Sequence, residues 1–155
     1  MRKFVGAIVA PALLLVLAAC GGGSGSGQAP ASGAPEGVAM VKVADSELGP
    51  ILVDESGRTL YAFIKDKDQT SNCGDACIAA WPALTTAKAA VAGQGANVAL
   101  IGQTQSTKGQ QQVTYGQWPL YYYVNDMVAG DVNGQAIDDE WYVLSPDGKL
   151  VKKTE

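Results

Sequence analysis

Histidine is absent from all 155 residues. That removes a Ser-His-Asp or Cys-His nucleophile, an imidazole-ligated zinc site and a C-x-x-C-H haem attachment. Carboxylate, tyrosine and cysteine chemistry survive, as does metal binding through oxygen or sulfur. Basic residues are also scarce: beyond residue 19 there are 9 against 15 acidic ones, a formal charge of −6. No basic patch for nucleic acid or polybasic contact for a membrane is expected. The apolar run at residues 4–17 has 14 residues, too few for a mature transmembrane helix, which needs about 20. Cysteine is rare, with three copies, at Cys20, Cys73 and Cys77.

The short apolar run has another use. It follows Arg2 and Lys3 and ends in Leu17-Ala18-Ala19-Cys20, which completes a secretory signal with a cysteine where lipid is attached. Residues 1–19 read as a lipoprotein signal peptide and Cys20 as the lipidated, palmitate-bearing first residue of the mature chain. The expected location is a bacterial cell envelope, with the chain anchored by its lipid. Gly21 in place of aspartate favours the outer membrane if the organism is Gram-negative. Residues 20–37 contain the tract GGGSGSGQAPASGAPEG, which has no aliphatic side chain larger than alanine and reads as a flexible tether.

Residues 38–155 are the size of one compact domain. They carry an internal repeat at an offset of 60: 7 of the 25 pairs from 60/120 to 84/144 are identical, including Tyr61/Tyr121, Asp66/Asp126, Gly74/Gly134 and Trp81/Trp141. The repeats span about 51–84 and 113–144. Each reads as β-hairpins, with arms at 51–53 and 59–64, at 112–115 and 119–124, and at 141–144 and 149–151, around Gly-containing turns. A strand at 97–101 is expected to pair with 111–115. Residues 76–81 and the alanine-rich 83–92 are the helical candidates. The predicted fold is mainly β: duplicated antiparallel β-hairpin units with one or two short helices in a single compact domain.

Strand alternation puts Tyr61 and Phe63 on one face and Leu60, Ala62 and Ile64 on the other, with Tyr121 and Tyr123 against Leu120, Tyr122 and Val124 in the second copy. Asp66 and Asp126 fall just past these strands, where a carboxylate can accept backbone N–H bonds. Two readings stand. In one, the aromatic residues and Trp81 and Trp141 are core. In the other, they form an exposed face, rimmed by tyrosine hydroxyls and the aspartates, that binds a sugar, peptide or partner.

The L-Y-x-[FY]-x-x-D repeats, the C-x-x-x-C followed by W-P, and the run W-P-L-Y-Y-Y…D…G-D-x-N-G-Q…W-Y-V-L-x-P-D-G resemble the bacterial lipoproteins named for a Yx(FWY)xxD motif, whose repeat is a secreted repeat of unknown function. The resemblance implies an extracytoplasmic bacterial protein with two repeats, and no activity. Where that family often has W-P-P-L, this chain has Trp81-Pro82-Ala83-Leu84.

Cys73 and Cys77 occur in the first copy alone. In an oxidising envelope the default is a disulfide. An ideal helix holds Cβ atoms at i and i+4 too far apart for that bond, so residues 72–77 would be a loop or a distorted first turn. The alternative is a reduced or cycling pair that handles thiols or Cu(I), with Met40 or Met127 in place of the usual histidine. Residues 129–140 resemble a calcium loop with Asp131, Asn133 and Glu140 as weak Ca2+ candidates, but alanine occupies the first ligand position. The carboxylates Asp126, Asp131, Asp138, Asp139 and Glu140 show no spacing that singles out a general acid. No catalytic residue and no cofactor is therefore expected. The sequence points to a non-enzymatic binding module with a protein or glycan ligand, and secondarily to a metal or thiol-redox accessory protein.

Overall fold

A computed structural model describes residues 36–152. The signal peptide, Cys20 and the tether lie outside the described residues. In chain order the elements are β1 (Met40–Ser46), β2 (Gly49–Asp54), β3 (Tyr61–Phe63), α1 (Asp75–Ala80), β4 (Val91–Ala92), β5 (Ile101–Gln105), β6 (Gln111–Tyr115), β7 (Trp118–Pro119) and β8 (Trp141–Val143). They form three small sheets with strand orders β2-β1-β4, β3-β8 and β5-β6-β7. The domain is mainly β, as expected.

Residues 40–46, which the hairpin pattern passed over, are the first strand. β1 pairs with β2 from Val41↔Asp54 to Ser46↔Gly49, and the tight turn between them uses Gly49 at φ +95. β2 carries Ile51, Leu52 and Val53, all buried, because each of its faces meets a different apolar cluster. Leu52 packs with Val41, Leu60, Ala62, Leu84, Val113, Tyr115, Leu120 and Leu144. Ile51 and Val53 pack with Tyr61, Phe63, Cys73, Trp81, Tyr121, Trp141 and Val143. The predicted alternation holds along 60–63 and 120–123: Leu60, Ala62 and Leu120 enter the first cluster, and Tyr61, Phe63 and Tyr121 the second, whereas Ile64 and Val124, expected on the Leu60 and Leu120 faces, are exposed. A strand buried on both faces is continuously apolar, as here.

The hairpin at 51–64 is only partly as read. Val53 pairs with Thr59 and Leu60 N–H donates to Leu52 O, but the chain then leaves its own repeat. β3 pairs with β8, as Tyr61↔Val143 and Phe63↔Trp141. In return, Tyr122 N–H donates to Pro82 O and Val124 N–H to Ala80 O, so the Trp81 segment lines up with the tyrosines of the second repeat. At the centre Tyr61 and Tyr121 exchange both backbone bonds, at 2.9 and 3.0 Å. This reciprocity is that of an approximate two-fold axis between the two tyrosines. Each tryptophan segment thus completes the other repeat.

Two further expectations are corrected. The strand predicted at 97–101 begins at Ile101; Val98–Leu100 is a 3-10 turn whose start Asn97 caps by accepting from Ala99 N–H at 3.0 Å. Of residues 97–101 only Ile101 pairs with 111–115, opposite Tyr115, and residues 102–105 make the rest of that ladder. Residues 83–92 are extended despite their alanines. Ala83 bridges Tyr121 and Thr85 bridges Gln112, Thr86 N–H donates to Gln111 O, and Ala87 and Val91 N–H donate to Gly37 O and Ala39 O. These long-range bonds override the local helical preference of alanine. The segment after Trp81 is thus bridged to the second repeat at Ala83 and Thr85, and alanine at position 83 occupies the bridge opposite Tyr121.

Candidate functional site

The repeat motif converges on one buried cluster. Tyr61 and Tyr121 are 0% exposed, and Asp66 and Asp126 are 2% and 5% exposed. Tyr61 donates its phenolic proton to Asp126 Oδ2 at 2.7 Å, and Tyr121 donates to Asp66 Oδ2 at 2.6 Å. Each tyrosine therefore binds the aspartate of the other repeat. The second oxygen of each carboxylate accepts a backbone N–H, Asn72 to Asp66 Oδ1 at 2.7 Å and Asn133 to Asp126 Oδ1 at 3.0 Å. These bonds hold the loops that follow the strands, as the sequence suggested. The tyrosine oxygens also sit within reach of a third group: Gly134 N–H donates to Tyr61 at 3.2 Å, and the Ser71 hydroxyl lies 2.8 Å from that of Tyr121.

Burial pushes both carboxyls above their ordinary range, against the tyrosine and backbone bonds that pull them down. It also raises the Tyr61 and Tyr121 phenols, helped by the adjacent carboxylates. Both oxygens of each carboxyl accept a bond, one from a phenol and one from a backbone N–H, so each pair has the geometry of a neutral phenol on a carboxylate, with no basic side chain among the hydrogen-bond partners of either aspartate.

The indoles of Trp81 and Trp141 stack with centroids 3.8 Å apart and planes 1° from parallel. Phe63 stacks on Trp141 and Tyr123 on Trp81, each at 4.3 Å. Tyr61 and Tyr121 meet Trp81 and Trp141 edge-on at 5.4 and 5.3 Å. Gly134 lies against this stack: a Cβ there would meet Trp81 Cη2 and Tyr61 Cζ at 2.8 Å. The aromatic positions and their aspartates are therefore interior, with Tyr123 half-buried at one end and its hydroxyl accepting from Asn125 Nδ2 at 2.8 Å.

Cys73 and Cys77 form a disulfide with Cα atoms 5.2 Å apart. Gly74 is the extended N-cap of α1, so Cys73 stands outside the helix and Cys77 in its first turn, the distortion the sequence required. Cys73 is buried in the aromatic cluster, to which neither Met40 nor Met127 belongs. The calcium candidates have separate partners. Asp131 Oδ2 accepts from Met127 and Val128 N–H at 2.8 and 3.0 Å, Asn133 Nδ2 donates to Asn125 O at 3.2 Å, and Glu140 pairs with Lys65. Ala136, Asp138 and Asp139 have left-handed φ of 54° to 58°, a turn unlike a calcium loop between helices. Among the described residues no group of three His, Cys, Asp or Glu side chains gathers as a metal site.

An open cleft of about 720 Å³ lies elsewhere, among Asp54, Glu55, Thr85, Thr86, Gln111 and Tyr122 and their neighbours. Tyr122 donates to Asp54 Oδ2 at 3.0 Å, and the Arg58 guanidinium lies 4.3 Å from its ring centroid. Asp54 Oδ1 caps the turn that follows it, accepting from Ser56 and Arg58 N–H at 2.9 Å. Sequence reasoning did not single out these residues. The available signal was Tyr122 itself, an aromatic where the first copy has Ala62.

Two copies of one family's repeat match the chain, at residues 42–85 and 102–145, more than half of its length. The chain belongs to the family described as the secreted repeat of unknown function. The matched boundaries begin a strand earlier than the repeats read from sequence, at β1 and β5, and so take in the hairpin partners of β2 and β6. Neither the curated proteins nor the solved structures contain a match. A secreted repeat protein is thereby extracytoplasmic by family, and its family supplies no reaction.

Proposed function

We propose that this secreted repeat protein is a lipid-anchored envelope lipoprotein, held through Cys20, whose two-repeat domain is a non-enzymatic module that binds a polar ligand in the Tyr122 cleft. The observation that carries this reading is the division of the polar groups. The carboxylates and phenols of the repeat motif are occupied inside the fold, whereas the cleft sets a phenol, carboxylates, hydroxyls and amides around open volume. Its size falls in the ordinary range for a ligand site, about 300–1,000 Å³. Hydrogen-bonding side chains around an aromatic ring suit a glycan or a peptide segment.

A glycan and peptide array probed with the full chain tests the cleft. Binding that is lost in Tyr122→Ala and Thr85→Lys, and kept in Met127→Ala, outside the lining of the cleft, supports it. Ligands that bind all variants equally place the site elsewhere, and no binding at all overturns the module reading. For the anchor, Cys20→Ser should move the protein from the membrane to the soluble fraction. Wild-type protein that is soluble and unacylated by mass spectrometry would refute the lipoprotein reading.

A further inference from the structure

Two buried carboxylates without a cation are an expensive way to hold a core. Taking an ionised carboxylate out of water carries a heavy desolvation penalty, and hydrophobic packing around the tryptophans would be served equally by phenylalanine at positions 61 and 121. What the arrangement supplies is a base on the phenolic proton of each tyrosine, at 2.7 Å for Tyr61 and 2.6 Å for Tyr121. A phenol that loses one electron becomes strongly acidic, so oxidation of tyrosine near neutral pH is easy only where a base takes the proton in the same step. Each such tyrosine touches an indole edge-on, and the two indoles are face to face at 3.8 Å. Indole is the other readily oxidised side chain, and parallel contact gives the orbital overlap that electron exchange requires. From Trp81 the stack runs on to Tyr123, half-buried at the edge of the domain.

We propose that the Tyr123–Trp81–Trp141 stack with its two Tyr–Asp pairs is a one-electron relay that moves an oxidising equivalent from the surface to a buried tyrosine. A one-electron oxidant of radical type takes an electron from the stack at Tyr123. The hole passes through Trp81 and Trp141 and settles on Tyr61 or Tyr121. There the phenolic O–H breaks, its proton forms a new O–H on Asp126 or Asp66, and its electron fills the hole. The sum is oxidant plus Tyr–OH and Asp–COO⁻ giving reduced oxidant, a neutral tyrosyl radical and Asp–COOH. A one-electron reductant of the thiol or quinol class reverses it, as the proton returns from the carboxyl to the phenolate oxygen.

Two other features fit the relay. Burial raises the affinity of both carboxyls for the proton they must accept. Closure of Cys73 and Cys77 as a disulfide removes the thiol that would otherwise reduce a radical in the same cluster. Tyr115 provides an internal comparison: it is fully buried, but its hydroxyl donates to Pro146 O at 2.7 Å, a carbonyl that cannot take the proton.

The test is flash oxidation of the folded, disulfide-bonded protein by photogenerated tris(bipyridine)ruthenium(III), followed by transient absorption and electron paramagnetic resonance. Wild type should give an indole signal that decays into a long-lived tyrosyl radical, with a solvent deuterium isotope effect on the second step. The double variant Tyr61→Phe/Tyr121→Phe should stop at the indole radical, and Tyr115→Phe should behave as wild type. Asp66→Asn/Asp126→Asn, isosteric and checked for folding by near-ultraviolet circular dichroism, should form the tyrosyl radical about 100-fold or more slowly, the ordinary contribution of a positioned base. Should either asparagine variant unfold, the loss of the isotope effect in the single variant that folds decides. A tyrosyl radical of unchanged yield and rate in Tyr61→Phe/Tyr121→Phe, or rates indifferent to Asp→Asn, would overturn the relay.

Discussion

Alanine at Gly134 should open the tryptophan stack, while alanine at the repeat-equivalent Gly74 should barely be felt. At Gly134 the added Cβ would stand 2.8 Å from Trp81 Cη2, 2.8 Å from Tyr61 Cζ and 2.9 Å from Trp81 Cζ3. Carbon pairs prefer roughly 3.5–4.0 Å, so both rings must retreat by about 0.7 Å or more. Neither has room to do so. Trp81 is held between Trp141 and Tyr123 at 3.8 and 4.3 Å, and Tyr61 is fixed by its hydroxyl on Asp126 and its backbone bonds to Tyr121. Overpacking of a filled core costs about 1–3 kcal/mol, and two immobile rings place this case near about 3 kcal/mol. For a domain of this size that is a fall in Tm of roughly 10–15 °C. At Gly74 a Cβ meets nothing within 4 Å, and the loss is confined to a poorer N-cap on a short helix, about 1 kcal/mol or less. Urea denaturation of both variants gives the two values. Near-ultraviolet circular dichroism of the stacked indoles should change in Gly134→Ala alone. Equal stabilities, or a Gly134→Ala variant that melts within a few degrees of wild type with an unchanged spectrum, would refute the packing argument.

The disulfide closes a very short loop, so Cys73→Ser/Cys77→Ser should lose about 2 kcal/mol or less, measured by the same denaturation, and stay folded; complete unfolding would show that Cys73 does more in the cluster than tie a loop. Tyr61→Phe leaves a buried carboxylate oxygen without its donor and should cost about 1–3 kcal/mol. A Tyr61→Phe/Asp126→Asn cycle should show coupling of about 0.5–3 kcal/mol between repeats, and additivity would disprove the cross-repeat bond. The pH dependence has a definite sign. Asp66 and Asp126 have raised carboxyl pKa values in the fold, so they bind a proton more tightly there than in the unfolded chain. Their contribution to stability is present in full below the ordinary carboxylate pKa and is lost as pH rises through the raised values. The difference in Tm between wild type and Asp66→Asn/Asp126→Asn should therefore shift in favour of wild type as pH is lowered from neutral, and a shift the other way would contradict the burial of the carboxyls.

Much of the fold was legible because the sequence pattern and the packing share a period. Alternation along 60–63 and 120–123 assigned each side chain to the apolar cluster in which it is found, although Ile64 and Val124 at the ends of these runs are exposed, and Gly-containing turns marked the hairpin ends at Gly57 and Gly148. Long-range pairing was not legible. Nothing in the local order of residues 59–64 says that the strand will leave Leu52 after one bond and cross to Trp141. The same holds for residues 83–92, where alanine favours helix locally and the backbone partners Gly37, Ala39 and Gln111 lie far away in sequence. At the site, the motif residues were found but their partners were not. The aspartates were assigned to turns, and their Oδ1 atoms serve there. Their Oδ2 atoms bond tyrosines 65 and 55 residues distant, a relation visible only once the two-fold arrangement is known.

That arrangement also locates where function must be sought. A single repeat would expose its tryptophan and leave both its tyrosine and its aspartate without a partner, so neither half can complete a core alone. The shared motif is therefore accounted for, as structure, by the exchange between copies. What duplication does not account for are the departures from symmetry. The disulfide stands opposite Asn133 and Ile137 in the second copy. Gln112 and Thr114, fully buried on the face of β6 that corresponds to Ile51 and Val53 on β2, bring polar groups where the first copy is apolar. Tyr122 replaces Ala62 and furnishes the aromatic side chain of the cleft. An exposed turn at Met127 and Val128, 81% and 64% accessible, takes the place of Lys67 and Asp68. A symmetric duplicate has no need of any of these for folding, and three of the four lie on or beside the cleft and the Tyr121 side of the aromatic cluster. Substitutions at Tyr122, which lines the cleft and stands where the first copy has alanine, therefore separate function from fold more cleanly than substitutions in the motif that names the repeat.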